Sequence, residues 1–414
     1  MADVPGEVDL AVVLVPAESV TPAVLSCAAK GVRGVIVEAA DFAEIGPEGR
    51  QRQARIAEIA RNAGMRLWGP NCLGVIDTRS GVITTYQPLR DVVPGHTSLI
   101  TQSGALAGAV LAQVHEARTF AFNKVCSIGN KADVDECDLL EYLAGDPTTK
   151  VIGMYLESIN DGRRFVELAS RLTQEKPVIV LKSGRTPLGV AASLSHTASL
   201  AGDDRVVDAA FAQAGILRVG DLGEFLSVMK AFDRLHERRA GKRVAIVCTT
   251  GAGGVLAADQ LGLHGLELAH LSKATMARLH EQFPAWLEPN QPLDISPTMM
   301  KIGPNRALQY AASVVLEDDN VDALLLQTFG LPATASFDAA ALAGIIAGKG
   351  KAAVAWLYGV RTYLEPWTAA LEAGGLPVMP DLRSAARALQ AVASWSRPGS
   401  TPQASAPPRA TGRP

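Results

Sequence analysis

Short and almost uninterrupted apolar runs recur along the chain, and segments with helical character follow them. Eight runs of five to nine residues stand out: 11–15, 34–38, 98–102, 150–157, 177–183, 243–249, 321–329 and 352–359. A strand that is apolar along its whole length is buried on both faces, as in parallel sheets. Residues 47–64, with Pro47 near the start and Gly64 as a stop, are typical of the amphipathic helices between such strands. The alternation predicts an α/β protein with doubly wound parallel sheets.

The size and charge of the chain restrict the class of protein. With 414 residues and 48% hydrophobic residues, we expect roughly two to four globular domains. The 39 basic and 42 acidic residues nearly balance, at a net charge of -3, which argues against a nucleic-acid binder. No apolar run approaches 18 residues and no basic segment precedes the first one, so neither a transmembrane helix nor a signal peptide is predicted.

The five cysteines are odd in number and contain no Cys-x-x-Cys pair. A disulfide framework and a structural zinc site are therefore not expected, and we predict no metal site. Thiols that remain reduced fit a cytoplasmic protein, and we expect that location.

Three globular segments are predicted along the chain. Residues 1–94 contain about three strand–helix units, and residues 97–232 form a second segment. The highly charged stretch 233–243 is interpreted as a linker to a third segment, residues 244–395. Residues 396–414 carry five prolines and no acidic residue, which predicts a disordered tail.

Two segments share a strand, a polar glycine-containing turn and a helix of small residues: SLITQSGALAGAVLAQV (98–114) and RVAIVCTTGAGGVLAADQL (243–261). A helix N-terminus offers unpaired N–H groups and a positive dipole end, which favour a phosphate. The candidate phosphate-binding residues are Ser103, Gly104, Thr250, Gly251 and Gly253. The alternative is an ordinary helix cap and turn. Neither segment matches a Walker A loop, a dinucleotide fingerprint or the Gly-x-Ser-x-Gly elbow of hydrolases.

A segment rich in small residues, 184–204, contains His196 and is predicted to be a long loop. Loops of this length are uncommon unless they serve a function, and a histidine among small neighbours is accessible as a nucleophile. The alternative is an ordinary surface histidine. Glu157 ends the run 150–157, where the carboxyl end of a parallel strand faces ligand sites. It could orient the imidazole, or it could be a surface salt-bridge carboxylate.

The stretch MRLWGPNCLGVID (65–77) predicts a strand that ends in a rigid turn. Asn71 offers amide hydrogen bonds in that turn. Cys72 could act as a nucleophile, but no histidine or basic residue flanks it, which favours a packed or site-lining thiol.

Six motifs in one order resemble the NDP-forming acyl-CoA synthetases, which include ADP-forming acetyl-CoA synthetase and are related to the α subunit of succinyl-CoA synthetase. The motifs are GPNCLG (69–74), TQSGALAG (101–108), SIGNKADVD (127–135), YLESINDGRRF (155–165), KPVIVLKSGRT (176–186) and SHTASLAG (195–202). The resemblance implies a shortened Rossmann-like CoA-binding domain (1–94) followed by two flavodoxin-like domains (97–232 and 244–395).

The resemblance also implies roles for single residues. His196 matches the histidine that the family phosphorylates, and Glu157 matches the acid that stabilises the phosphohistidine. The five residues at the two helix starts match phosphate-binding positions. Pro16, Asn71 and Cys72 match CoA-binding positions, and Asp294 matches a family pattern to which we assign no role.

The implied chemistry is the reversible conversion of acyl-CoA, ADP and phosphate to a carboxylic acid, CoA and ATP. The family's usual first strand–helix unit, with its glycine-rich loop for the CoA phosphates, is not recognisable here, and nothing resembles an ATP-grasp module. We therefore expect an α-type chain in an oligomer with a separate ATP-grasp subunit that binds ADP or ATP with Mg²⁺. Two alternatives are a non-catalytic protein that binds CoA or acyl-CoA, and, more distantly, a hydrolase that uses Ser103.

Overall fold

The computed structural model describes residues 1, 3–87, 92–197, 203–238, 240–330 and 337–395, without the side chains of residues 193–197. Within these ranges, three sheets follow one another along the chain. The predicted tail, residues 396–414, lies outside the described residues.

The first sheet contains three parallel strands in the order β1-β2-β3. Its strands are β1 (Leu10–Val13), β2 (Gly34–Val37) and β3 (Arg66–Trp68). They alternate with the helices α1 (Ala17–Lys30) and α2 (Pro47–Asn62), and a 3-10 helix, Ala43–Ile45, precedes α2. Branched and aromatic side chains, among them Val20, Val24, Phe42, Ile56 and Leu67, bury the helices against the sheet.

The second sheet contains seven strands: β4 (Gly74–Asp77), β5 (Val82–Ile83), β6 (Thr97–Thr101), β7 (Phe122–Ser127), β8 (Val151–Leu156), β9 (Val178–Lys182) and β10 (Leu217–Val219). Its helices are α3 (Gly104–Ala117), α4 (Glu136–Gly145), α5 (Gly162–Leu172), α6 (Pro187–Thr197), α7 (Asp204–Gln213) and α8 (Leu222–Leu235). The order is β10-β9-β8-β6-β7-β4-β5. The first five strands in that order are parallel, and β4 is antiparallel to both of its neighbours, β7 and β5.

The third sheet is parallel throughout its six strands: β11 (Arg243–Cys248), β12 (Glu267–Leu268), β13 (Leu293–Asp294), β14 (Ala323–Gly330), β15 (Ala352–Gly359) and β16 (Val378–Met379). Its helices are α9 (Gly251–Leu263), α10 (Lys273–Gln282), α11 (Ser296–Ile302), α12 (Pro304–Leu316), α13 (Ala339–Ala347), α14 (Arg361–Ala373) and α15 (Leu382–Ser394). The main path is β12-β11-β14-β15-β16, with β13 beside β11. The predicted fold class, parallel α/β sheets with flavodoxin-like units, is confirmed.

Three details differ from the sequence-based expectations. The segment 184–204 contains helix α6 rather than a continuous loop, because Pro187 opens it and the hydroxyl of Thr186 accepts a bond from the N–H of Gly189. The hairpin 74–83 lies in the segment assigned to the first unit, but β4 pairs with β7 of the second sheet. The charged stretch 233–243 begins inside α8, where Asp233 accepts a bond from the hydroxyl of Thr97.

The second and third units share a core, which fixes the position of their sheets. Helices α8 and α15 pack against each other through buried side chains such as Phe232 and Leu389. A buried ion pair joins Lys230 of α8 to Glu372 of α14 at 2.8 Å. No helix among the described residues is long and apolar enough to cross a bilayer.

Candidate active site

The turn after β3 brings the candidate CoA-binding residues to the carboxyl edge of the first sheet. The Gly69–Pro70 bond is cis, and Asn71 has a φ of 57°. The N–H of Asn71 donates to the carbonyl of Ala39, after β2, at 2.9 Å. Its side-chain amide donates to Oδ1 of Asn130 at 3.3 Å. The turn is thus tied to two other loops, which leaves the half-buried Asn71 amide at the edge where ligands of α/β folds bind.

Cys72 is a packed thiol in this turn. Its side chain is buried, and Sγ donates to the carbonyl of Val37 at 3.4 Å. Burial raises the pKa of Cys72 to about 12, so the thiolate is scarce at neutral pH. A buried thiol that is bonded to the backbone favours the packed, site-lining interpretation over that of a nucleophile. The third candidate, Pro16, is exposed at the start of α1, three residues after the carboxyl end of β1.

A loop of the second unit, residues 128–134, closes over the same turn. The N–H of Asn130 donates to the carbonyl of Pro70, and the N–H of Ala132 donates to that of Gly69, each at 2.9 Å. A Cβ at Gly129 would lie 2.2 Å from the carbonyl oxygen of Pro70, so only glycine fits there. Two motifs that are far apart in the sequence therefore form one rigid structure.

The start of α3 lies against the turn after β3, residues 69–74, which we call the CoA turn. Ser103 caps the helix, because its hydroxyl accepts a bond from the N–H of Leu106 at 3.3 Å. A Cβ at Gly104 would lie 3.5 Å from the nitrogen of Leu73 and 3.7 Å from the carbonyl carbon of Cys72. The predicted phosphate-binding helix start and the predicted CoA turn therefore lie side by side, separated by the space of about one methyl group.

Glu157 follows β8, at the carboxyl edge of the second sheet, and is buried. Gln102, after the neighbouring β6, accepts bonds from the N–H groups of Glu157 at 2.8 Å and Ser158 at 3.0 Å. The hydroxyl of Tyr155 donates to Oε1 of Glu157 at 3.3 Å. Burial, followed by the charge of Glu157, raises the pKa of Tyr155, so the tyrosine remains a donor to the carboxylate. Glu157 is held in one position, as a carboxylate that orients an imidazole must be.

His196 lies within the backbone of α6, one residue before its end. Its side chain lies outside the described side chains, so the pairing of His196 with Glu157 stays a prediction.

The start of α9 lacks the side-chain capping bond that is present at the start of α3. Thr250 is the N-cap residue, but no described side chain caps the helix. Gly251 is exposed, and a Cβ there would lie 3.3 Å from Oδ2 of Asp294. Oδ1 of Asp294 accepts a bond from the N–H of Ser296 at 2.9 Å. Asp294 thus places a carboxyl group beside the helix N-terminus, where its charge competes with that of a phosphate.

Two residues that the sequence analysis did not single out support this helix start. Gln327 of β14 is fully buried, and its Oε1 accepts a bond from the N–H of Thr249 at 3.3 Å. Nε2 of Gln327 and the hydroxyl of Thr249 have no partner among the described residues. A Cβ at Gly253 would lie 2.6 Å from Oε1 of Gln327, which explains the small residue there. Gln327 is one of the polar residues in the apolar run 321–329 and directly follows three leucines, and that interruption was the available signal.

Glu38 is a further residue that the sequence analysis missed. It follows β2 and is buried at the carboxyl edge of the first sheet, and neither carboxyl oxygen has a partner among the described residues. The rule that selected Glu157, an acid at the end of an apolar run, would also have selected Glu38 in the run 34–38.

Among the described residues, one group has metal-ligand composition, namely Asp135, Glu136 and Cys137, whose ligand atoms lie within 4.8 Å of one another. The side chain of Asp135 caps α4, and Glu136 pairs with Lys131 at 2.8 Å. Burial raises the pKa of Cys137 to about 12. These contacts give the group a structural role.

Two family models match the chain in the order of its units. A CoA binding domain matches residues 1–78, and a succinyl-CoA ligase like flavodoxin domain matches residues 94–232. A solved structure, the dinucleotide forming acetyl-coenzyme A synthetase 1 of Ca. Korarchaeum cryptofilum in complex with phosphate and ADP, superposes with a TM-score of 0.85 at 28% identity. The superposition covers 95% of this chain and 84% of that one.

Curated relatives are similar in sequence as well. ADP-forming acetate–CoA ligase II of Archaeoglobus fulgidus is 40% identical over 78% of this chain and 48% of its own length. The α subunit of ADP-forming acetate–CoA ligase II of Pyrococcus furiosus is 40% identical over 78% of this chain and 69% of its own length. The chain thus matches about half of the first relative and more than two thirds of the second. The shared sequence, the order of the domains and the fold together place this chain in the family of the ADP-forming acetate–CoA ligases.

Proposed function

We propose that this chain is the α-type chain of an ADP-forming acyl-CoA synthetase. It interconverts acyl-CoA, ADP and phosphate with a carboxylic acid, CoA and ATP, and the phosphoryl group passes through His196. The observation that supports the proposal is the closeness of the CoA turn to the start of α3, where a Cβ added at Gly104 would touch Cys72 and Leu73. Acyl transfer from CoA to phosphate requires the thiol end of CoA and the phosphate to meet, because reacting groups must be held in contact.

The proposed roles follow from the match of each residue to the motifs of the family. Phosphate attacks the thioester to give an acyl phosphate and CoA, the imidazole of His196 takes the phosphoryl group and releases the acid, and ADP receives it to give ATP. Glu157 holds one ring nitrogen so that the other remains free to attack. Phosphate lies at the helix starts formed by Ser103, Gly104, Thr250, Gly251 and Gly253. The CoA site includes Pro16, Asn71 and Cys72.

The capping bond of Ser103 is compatible with this role. A hydroxyl group that accepts a bond from a backbone N–H still has its own hydrogen to donate, so Ser103 can cap α3 and contact phosphate together. At α9, the unpartnered Thr249 hydroxyl and Gln327 amide lie beside the helix start, where a bound anion would be near them. The two dipoles would then neutralise one phosphate between them.

The nucleotide step needs an ATP-grasp module, and none of the six motifs belongs to one. We propose a separate ATP-grasp subunit that carries ADP or ATP with Mg²⁺, and an assembly of both chains. The similarity to chains named as α subunits supports this arrangement. The five cysteines are free and buried, which fits the reducing cytoplasm that we propose as the location.

A coupled assay tests the proposal. The full chain and a candidate ATP-grasp subunit are mixed with acetate, CoA and MgATP, and acetyl-CoA and ADP are measured. We expect both products only when both chains are present, and neither with His196→Ala. Binding of CoA without turnover, with every ATP-grasp partner and short-chain acid tried, would instead support a non-catalytic CoA-binding protein.

A further inference from the structure

A cavity of about 430 Å³ opens at the amino edge of the second sheet. Its walls include residues 92–96, which precede β6, the start of β7 and the last turns of α3. Ser103 and Glu157 follow the carboxyl ends of β6 and β8, so the cavity lies at the other edge of this sheet from the candidate active site. Its volume is typical of pockets that bind small molecules.

The inner wall of the cavity is apolar and partly aromatic. Leu111 and Val114 of α3 and the two rings of Phe120 and Phe122 line it, and all four residues are buried. The two rings pack edge to face, with centroids 5.3 Å apart and planes at 72°. Val93, which is exposed, adds an apolar side chain to the lining. Because aromatic rings pair favourably in such offset or edge-on geometry, this wall suits a ligand with an aromatic body.

Polar side chains without partners belong to the same lining. Arg118 follows the end of α3 and His115 lies one turn earlier, and both are exposed. Among the described residues, no group bonds to either side chain. The acid in the lining, Asp233, already accepts a bond from the hydroxyl of Thr97 at 2.8 Å. A guanidinium and an imidazole that are free to donate favour an anionic ligand, and a carboxylate matches the guanidinium best.

The walls of the cavity are fixed before any ligand binds. Nε and Nη2 of Arg234 both donate to the carbonyl of Thr119, at 2.9 and 2.6 Å, which holds the segment between Arg118 and β7. The N–H of Gly95 donates to the carbonyl of Phe122 at 3.1 Å. A Cβ at Gly95 would lie 1.8 Å from the carbonyl oxygen of Ala121, so only glycine allows this close approach. A preformed site loses little free energy to ordering when it binds a ligand.

We propose that this cavity is a binding site for a small aromatic carboxylate. The ring of the ligand lies on Phe120 and Phe122, and its carboxylate accepts bonds from Arg118 and His115. The inference does not rest on the proposed function, because no residue of this lining is a candidate for binding CoA or phosphate or for carrying a phosphoryl group. Since α3 begins at the predicted phosphate site and ends at this cavity, the ligand contacts the far end of the same helix.

Isothermal titration of the full chain with 2-naphthylacetate tests the proposal. We expect saturable binding with a Kd below about 1 mM. The uncharged 2-naphthylacetamide should bind at least about tenfold more weakly, because it cannot form a charge-assisted bond to Arg118. Acetate, which has the charge without the aromatic body, should show no measurable binding at the concentrations at which the probe saturates.

Two exposed positions localise the binding. Arg118→Glu and Val93→Asp each add a negative charge to the lining and should weaken binding of the probe by about tenfold or more. Thermal unfolding checks that both variants fold as the wild type does, and Arg383→Gln, at an exposed arginine of α15, is the matched control that should bind normally. The proposal is overturned if the wild type does not bind the probe, if the amide binds as tightly as the acid, or if both charge variants bind the probe like the wild type.

Discussion

The starts of α3 and α9 have similar sequences and different surroundings. Both follow a buried parallel strand, and both begin with a hydroxyl residue and a glycine. At α3, the hydroxyl of Ser103 bonds to the helix itself, and the helix start lies against the CoA turn. At α9, Thr250 makes no capping bond, and Asp294 lies beside Gly251.

The difference shows that local sequence determines the backbone shape of such a helix start, but not which of its polar groups have hydrogen-bond partners. Gln327 and Asp294 belong to β14 and β13, which are far from α9 in the sequence. At α9, Nε2 of Gln327 and the hydroxyl of Thr249 have no partner among the described residues, whereas α3 is capped by its own Ser103. We infer that α3 is the preformed part of the phosphate site and α9 the part that a ligand completes.

The largest expected effect on stability concerns another unpartnered group, Glu38, and extends the comparison to the first sheet. Its pKa is about 7 in the folded protein against 4.5 as the ordinary value, so the folded state binds an extra proton between these pH values. Its contribution is fully favourable below pH 4.5 and is lost as the pH rises through 7, by up to about 3 kcal/mol. Relative to Glu38→Gln, the wild type should lose stability to urea over this window. A constant difference between the two proteins would contradict the assignment.

Paired glycine substitutions test the steric difference between the two helix starts. Gly253→Ala places a Cβ 2.6 Å from Oε1 of the buried Gln327 and 2.9 Å from Thr250. We expect a loss of about 1–3 kcal/mol in the free energy of unfolding, as for other overpacked sites. Gly104→Ala meets only contacts of 3.5 Å or more and should change stability by less than about 0.5 kcal/mol. Equal losses in urea unfolding would show that the two starts are packed alike.

The smallest effect concerns the two hydroxyl groups. Ser103→Ala removes a capping bond and should cost about 1 kcal/mol of stability. Thr250→Val removes a hydroxyl that does not cap, so unfolding should change by less than about 0.5 kcal/mol while phosphoryl transfer slows. Thermal unfolding and the coupled assay, measured on both variants, check this. A larger loss of stability for Thr250→Val would reverse the comparison.

Much of the fold could be predicted from the sequence because its strands are buried on both faces. The runs 98–102, 150–157 and 352–359 correspond to β6, β8 and β15 within two residues at either end. The short strands β12, β13 and β16 were missed, because two residues carry no periodicity. Helix α6 was interpreted as a loop, since its serine, threonine and glycine residues resemble loop composition.

The candidate site was predictable where a single rule applied. Glu157 and the CoA turn lie at the carboxyl edges of their sheets, as the position of each after a strand indicates. The rest depended on contacts between distant segments, such as the contact of Gly129 with the turn at Pro70 or that of Gln327 with Gly253. A sequence without related sequences beside it contains no local signal for such pairs.

The central claim is that a phosphoryl group is carried on His196. The most direct measurement is labelling of the full chain by γ-labelled ATP in the presence of an ATP-grasp subunit, followed by treatment with acid or base. We predict an acid-labile and base-stable label on the wild type and on His270→Ala, a matched control at an exposed histidine, and none on His196→Ala. A label that persists on His196→Ala, or its absence from the wild type when the mixture forms acyl-CoA, would contradict the account.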